Sequence, residues 1–111
     1  MSDFKVSVRE NPGMAVVRLE GEGGYLMVDQ IDAFFRRVLA ARPSLVILDL
    51  EALEFAASLF LGAIIRFRKD VVRGGGKVQV AGAQPKIMQL FEITQIAQFF
   101  EFIPALPGTA C

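Results

Sequence analysis

Ser58 is the only hydroxyl in the stretch Phe55-Ala56-Ala57-Ser58-Leu59-Phe60-Leu61-Gly62, which follows an apolar strand and opens an apolar helix. A strand-to-helix turn is a common seat of chemistry, because the start of a helix presents free backbone N–H groups. Here that place carries no carboxylate, and two large apolar side chains, Leu59 and Phe60, stand beside the serine. The chain has no histidine, so the commonest general base and the commonest metal ligand are both missing. An enzyme would have to work with carboxylates, Ser, Thr, Lys or Tyr25. With no Cys-x-x-Cys pair, neither a structural zinc site nor any other metal or cofactor is expected. The residues point to a surface that meets another protein, and no catalytic residue is assigned.

The elements that must hold this surface alternate between strand and helix. Residues 4–9 alternate apolar and polar as a half-buried strand does. Asn11-Pro12-Gly13 is a turn by its chemistry, and residues 14–19 form a second strand antiparallel to the first. From 28 to 41, Ile31, Phe34, Phe35, Val38 and Leu39 recur at helical spacing, with Asp29 and Asp32 early and Arg36 and Arg37 late, as the helix dipole favours. Pro43 stops that helix. Residues 45–50 are an almost wholly apolar central strand. A second helix runs over 58–72 and stops at Gly74-Gly75-Gly76, a strand follows over 77–81, and Gln84-Pro85 opens a third helix. Residues 96–103 suit a helical turn and an edge strand, and 104–111 a loose tail. The order β-β-α-β-α-β-α predicts one α/β domain over 1–111, with its core at about 4–103. It has a mixed sheet of four to five strands, helices packed against it, and one sheet face less covered.

Composition narrows the function. At 111 residues the chain is one ordinary domain, and equal numbers of acidic and basic residues give zero net charge, without the footprint of a nucleic-acid binder. Every apolar run stops well short of the roughly 20 residues of a spanning helix, so no membrane insertion is expected. Met1 to Lys5 lacks the basic and apolar regions of a signal peptide, and the single Cys111 has no partner for an internal disulfide; both suggest a cytoplasmic protein. Two glycine clusters mislead. Gly21-Glu22-Gly23-Gly24 would need a small third position where Leu26 stands. Gly74-Gly75-Gly76-Lys77 follows a helix instead of preceding one. Asp49 is expected to bond nearby loop backbone, and Glu51 and Glu54 to be ordinary loop acids.

Val16 to Glu22, Leu45 to Leu50, Ser58 with Leu61-Gly62-Ala63, Gly75-Gly76-Lys77-Val78 and the closing Leu90-Phe91-Glu92-Ile93-Thr94 together resemble the STAS domain, over about residues 4–102. STAS domains occur in bacterial anti-sigma factor antagonists and at the ends of sulphate transporters. The resemblance implies a binding module that captures a kinase-like anti-sigma factor and is released when that partner phosphorylates a serine. The family's switch reads Asp-Ser-Ser-Gly-Leu-Gly with the second serine modified. Here Ala57 replaces the aspartate, Ser58 keeps the first serine, Leu59 replaces the second, and Phe60 the glycine. A further family acid falls on Gly24. By this resemblance the usual phosphoacceptor is gone, since leucine cannot receive the charge that a helix start would stabilise.

Ser58 is then either a displaced phosphoacceptor or, the reading favoured here, a helix N-cap worth about 1 kcal/mol. On the second helix Leu61, Ile64, Ile65, Arg68 and Val72 form the stripe expected to face the sheet. Phe60, Ala63, Phe67 and Val71 form a second stripe, buried by neighbouring helices or exposed for a partner or a homodimer. The expected partner surface is Gly24, Tyr25, Ser58, Leu59, Phe60, Ala63 and Phe67, on the 23–28 loop and the second helix. Arg66, Arg68, Lys69 and Arg73 line the rest of that helix and could complement an acidic partner. The leading function is a non-catalytic interaction module with the phosphoserine switch lost. The alternatives are a subunit of a larger signalling or transporter assembly, or a small-ligand domain around Gly24, Tyr25 and Ser58.

Overall fold

In the computed structural model, which describes residues 4–104, the expected α/β order holds, with the edge strand at its end and one further strand before the second helix. The chain runs β1 (Lys5–Asn11), β2 (Met14–Gly23), a 3-10 turn (Tyr25–Met27), α1 (Val28–Ala40), β3 (Leu45–Asp49), β4 (Leu53–Ala56) and α2 (Ser58–Arg73). It continues with β5 (Lys77–Ala81), α3 (Pro85–Ile93), a second 3-10 turn (Ala97–Phe99) and β6 (Glu101–Ile103). The strands form one 6-stranded sheet in the order β1-β2-β3-β5-β6, with β4 paired to β2 off that path. Only β1 and β2 are antiparallel; every other pair is parallel. The fold is therefore the mixed sheet with packed helices that the sequence predicts, enlarged to six strands. The expected loose tail falls, after Pro104, outside the described residues.

β4 is the element that periodicity misses. Its four residues, Leu53-Glu54-Phe55-Ala56, bury only their two ends, so no alternation betrays a strand, and Glu54 sits in a strand instead of a loop. β4 exists because β2 is long enough to serve two partners. Met14–Arg18 of β2 pair with β3, and Gly21–Gly23 pair with β4 after a register shift between Gly21 and Glu22. Gly21 stands at φ +88, where a Cβ would be strained, and its N–H donates to the Ala52 carbonyl at 2.9 Å. This bulge redirects the end of β2 toward the start of α2.

The core lies between the sheet and the helices. Val17, Leu19, Val46, Leu48 and Val80 point to the helical side, where they meet Ile31, Phe35 and Val38 of α1, six apolar residues of α2, and Ile87 and Phe91 of α3. Phe35 and Phe67 stack at 4.0 Å with nearly parallel rings, tying α1 to α2 with about 0.5–1.5 kcal/mol beyond the burial itself. The opposite sheet face carries only a small apolar strip, Val16, Ile47 and Ala81 with Met14, Leu45 and Ile103 around it. The apolar arc of α2 is thus wide for a simple reason: it faces the sheet and α1 together.

Candidate partner-docking surface

The end of β2, the 3-10 turn and the start of α2 meet at one corner. The Ala57 N–H donates to the Gly23 carbonyl at 2.8 Å, and β4 pairs Glu22 with Phe55 and Gly23 with Ala56. The 3-10 turn packs against α2. Beneath them the Phe60 ring is fully buried, edge-on to Phe4 at 5.4 Å. A Cβ on Gly23 would lie 2.7 Å from that ring. Gly23→Ala is therefore expected to cost about 1–3 kcal/mol by overpacking, read as a drop in denaturant midpoint at unchanged slope. Gly24 differs: it is extended at φ −79, and a Cβ there meets nothing within 4 Å. A carboxylate would fit at Gly24, so packing does not dictate its absence.

Around this corner four large apolar side chains stand in solvent. Leu26 is 74% exposed, Tyr25 and Leu59 each 64%, and Phe55 47%. Tyr25 and Leu59 were expected at the surface from the sequence, together with Gly24 and Ser58, and all four lie at this end. Leu26 and Phe55 were not singled out.

Three expected contact residues belong elsewhere. Phe60, Ala63 and Phe67 are all but wholly buried, as is Val71, and cannot present atoms to a partner. The second stripe of α2 is core: Phe67 is covered by Phe35, and Phe60 by Gly23 and Phe4. Conversely Val72, expected to face the sheet, is 43% exposed. The N-cap assignment of Ser58 also needs correction. Ala57 is the N-cap, with extended backbone and no side-chain cap bond, and the Leu61 N–H closes the first helical turn on the Ala57 carbonyl at 2.9 Å. Ser58 is the first helical residue, with its side chain exposed and no hydrogen bond to another described residue.

Asp49 holds the turn between β3 and β4. It is the one buried charged residue among those described, and accepts hydrogen bonds from Arg18 Nη1 at 2.7 Å and from the Glu51 N–H at 3.1 Å. The bond to Glu51 was expected in kind; the one to Arg18, 31 residues away, was not. The hydrogen bond it donates to Asp49 raises the Arg18 guanidinium above its already high ordinary pKa, against the opposing effect of burial. The Gln84 side chain, at the N-cap position of α3, donates to the Glu51 carbonyl at 2.9 Å, so the turn between β3 and β4 is held from both sides. Asp49→Ala is expected to lower stability by about 1–3 kcal/mol, chiefly because the Glu51 N–H loses its acceptor; Arg18 is about a third exposed and keeps Glu20 at 3.3 Å. Equilibrium urea unfolding measures it.

Among the described residues no group of three or more His, Cys, Asp or Glu could hold a metal ion, and no helix is long and apolar enough to cross a membrane. What the corner offers is apolar area on a rigid base.

Sheet order, helical layer and the β4–α2 turn together match a family. The STAS domain model matches residues 5–107, and the chain belongs to the STAS domain family. Its fold is similar to that of an anti-sigma factor antagonist from Mycobacterium paratuberculosis, at 22% identity over 94% of this chain and 88% of that one, with a TM-score of 0.83. The Bacillus cell fate determinant SpoIIAA in its phosphorylated form is similar at 19% identity over 97% and 96% of the two chains, with a TM-score of 0.73. An anti-sigma-factor antagonist domain protein from Planctomyces limnophilus matches at 23% identity over 95% and 92%, with a TM-score of 0.69. None of the curated protein sequences matches this chain.

Proposed function

We propose that this STAS domain is a non-catalytic interaction module that docks a protein partner through the corner of Tyr25, Leu26, Phe55 and Leu59. A kinase-like anti-sigma factor, or another signalling protein in the cytoplasm, is the partner class that the family suggests. The observation that carries this reading is Leu59: a leucine exposed at the helix start, on a base packed tightly by Gly23, Phe60 and Phe4. Four exposed apolar side chains at one corner are the composition of an interface core, where aromatic residues supply most of the binding energy. Gly24 and Ser58 lie at the same corner and complete the surface.

Release by the usual phosphoserine is not available if Leu59 stands in the acceptor position. Contact then persists for as long as the partner is present, and competition or abundance sets its extent. Intact-mass measurement after incubation with ATP and a serine kinase of the anti-sigma class tests this reading. The expected result is an unchanged mass together with a stable complex. Stoichiometric phosphate on Ser58 would restore a covalent switch and refute it.

A further inference from the structure

The helical layer carries charge unevenly. Half of the chain's 12 Lys and Arg residues lie on α1 and α2, at Arg36, Arg37, Arg66, Arg68, Lys69 and Arg73. Only a quarter of its 12 carboxylates do so, at Asp29, Asp32 and Asp70. The whole chain is neutral, so these two helices carry a net positive charge that is balanced elsewhere. Between the two helices runs a groove of about 270 Å³, bordered by Arg36 and Arg66 and floored by Ala63 and the stacked Phe35 and Phe67. A recess of about 30 Å³ shares Leu39 and Asp70 with it and extends it to Arg42, just past the end of α1.

The cations of this groove are not all matched internally. Arg66 lies 3.8 Å from Asp32, and Asp70 is engaged at 3.2 Å by Arg73 from outside the groove, while Arg36 and Arg42 have no described acceptor for their side chains. Arg42 is moreover held at φ +48, directly before Pro43. That backbone region costs a residue with a Cβ about 1–2 kcal/mol, and glycine is the usual occupant of such a helix end. An arginine there places a guanidinium at the mouth of the recess and weakens the corner it sits on.

We propose that the α1–α2 groove is a second docking surface, which takes an acidic amphipathic helix of a protein partner. The helix lays its apolar side on Leu39 and on the aliphatic stems of Arg36 and Arg66, above the buried aromatic floor, and sets its carboxylates over Arg36 and Arg42. A concave site with Asp32 and Asp70 in its walls suits a helix with a mixed face better than a flat layer of phosphates. This surface shares no residue with the Tyr25–Leu59 corner, so it stands or falls separately.

The test is a backbone-amide NMR titration of the full chain with a synthetic Leu/Glu amphipathic helical peptide of about 14 residues, roughly 21 Å long. A counterpart with Lys in place of every Glu is the control, and vesicles containing phosphatidylglycerol form a third arm. The expected result is shifts at 36–42 and 63–74, with a Kd below about 1 mM that weakens as salt rises. Affinity is expected to fall about tenfold in Arg36→Glu/Arg42→Glu, and to stay unchanged in Leu59→Asp. Arg42→Gly is expected to lose affinity while its Tm holds or rises, a combination that a purely structural role for Arg42 would not give. The proposal is overturned by shifts confined to the Tyr25–Leu59 corner, by equal binding of the double variant or of the Lys peptide, or by no saturable binding below about 1 mM. Binding to the vesicles in preference to the peptide would overturn it as well.

Discussion

In the Leu59→Asp variant, partner affinity is expected to fall by at least about 2 kcal/mol, roughly thirtyfold, while the fold is kept. Leu59 is mostly exposed in the isolated domain, so its removal forfeits little internal packing. An aspartate in the first turn of α2 is favoured by the helix dipole by about 0.3–1 kcal/mol, so the unfolding midpoint is expected to hold or rise. At an interface the same substitution acts the other way. It deletes a leucine whose burial is worth about 1.5–3 kcal/mol and places a charge where water is excluded. Stability and binding thus move in opposite directions. That divergence separates a contact residue from a structural one, and calorimetric titration beside thermal melting reads both.

Phe60→Ala is expected to show the reverse pattern, with a stability loss of about 3–5 kcal/mol and a large fall in melting temperature. The ring fills the space between Gly23 and Phe4 and has no exposed surface. Its removal leaves a cavity directly beneath the docking corner. Smaller rings or chains at 60 are also expected to relieve Gly23, so Gly23→Ala should cost less in a Phe60→Leu background than in the natural one. A coupling of about 0.5–3 kcal/mol between the two positions is expected in a double-mutant cycle. Additive effects would mean that Gly23 is a glycine for some other reason than the ring.

These two neighbours, Leu59 and Phe60, also mark where sequence reading succeeds and where it stops. The strands β1, β2, β3 and β5 and helix α1 were legible because each carries either an apolar period or a continuous apolar run, bounded by a chemical stop such as Asn11-Pro12-Gly13 or Pro43. α3 was legible from Gln84-Pro85 at its start and the apolar Ile87, Met88, Leu90 and Phe91 along it, of which Ile87 and Phe91 are buried. β4 was not, because a four-residue strand with its two middle residues exposed has no period to detect. On α2 the sequence offered two apolar stripes and could not say which faced the interior. α1 decides it by stacking Phe35 on Phe67, a tertiary contact across 32 residues that no local pattern encodes. The same holds for Arg18 and Asp49, whose pairing depends on β2 lying beside β3.

The candidate site was legible in its location and only partly in its members. The strand-to-helix turn and the glycine-rich loop are visible as breaks in pattern, and the structure brings them together at one corner. Which side chains leave that corner depends on helix phase. Ser58 illustrates it: a shift of one residue in the helix start turns an expected cap into an exposed first-turn hydroxyl with Ala57 in the cap position. The absence of a capping side chain also leaves the first-turn N–H groups without that partner, which is consistent with a surface kept clear for contact.

Titration of a kinase-like anti-sigma factor into the natural domain and into Leu59→Asp, with ATP present, is the most direct measurement. The complex is expected to survive ATP in the natural domain and to be weakened roughly thirtyfold or more by the aspartate. Equal affinity for the two proteins, or dissociation of the natural complex with phosphate gained on Ser58, would contradict it.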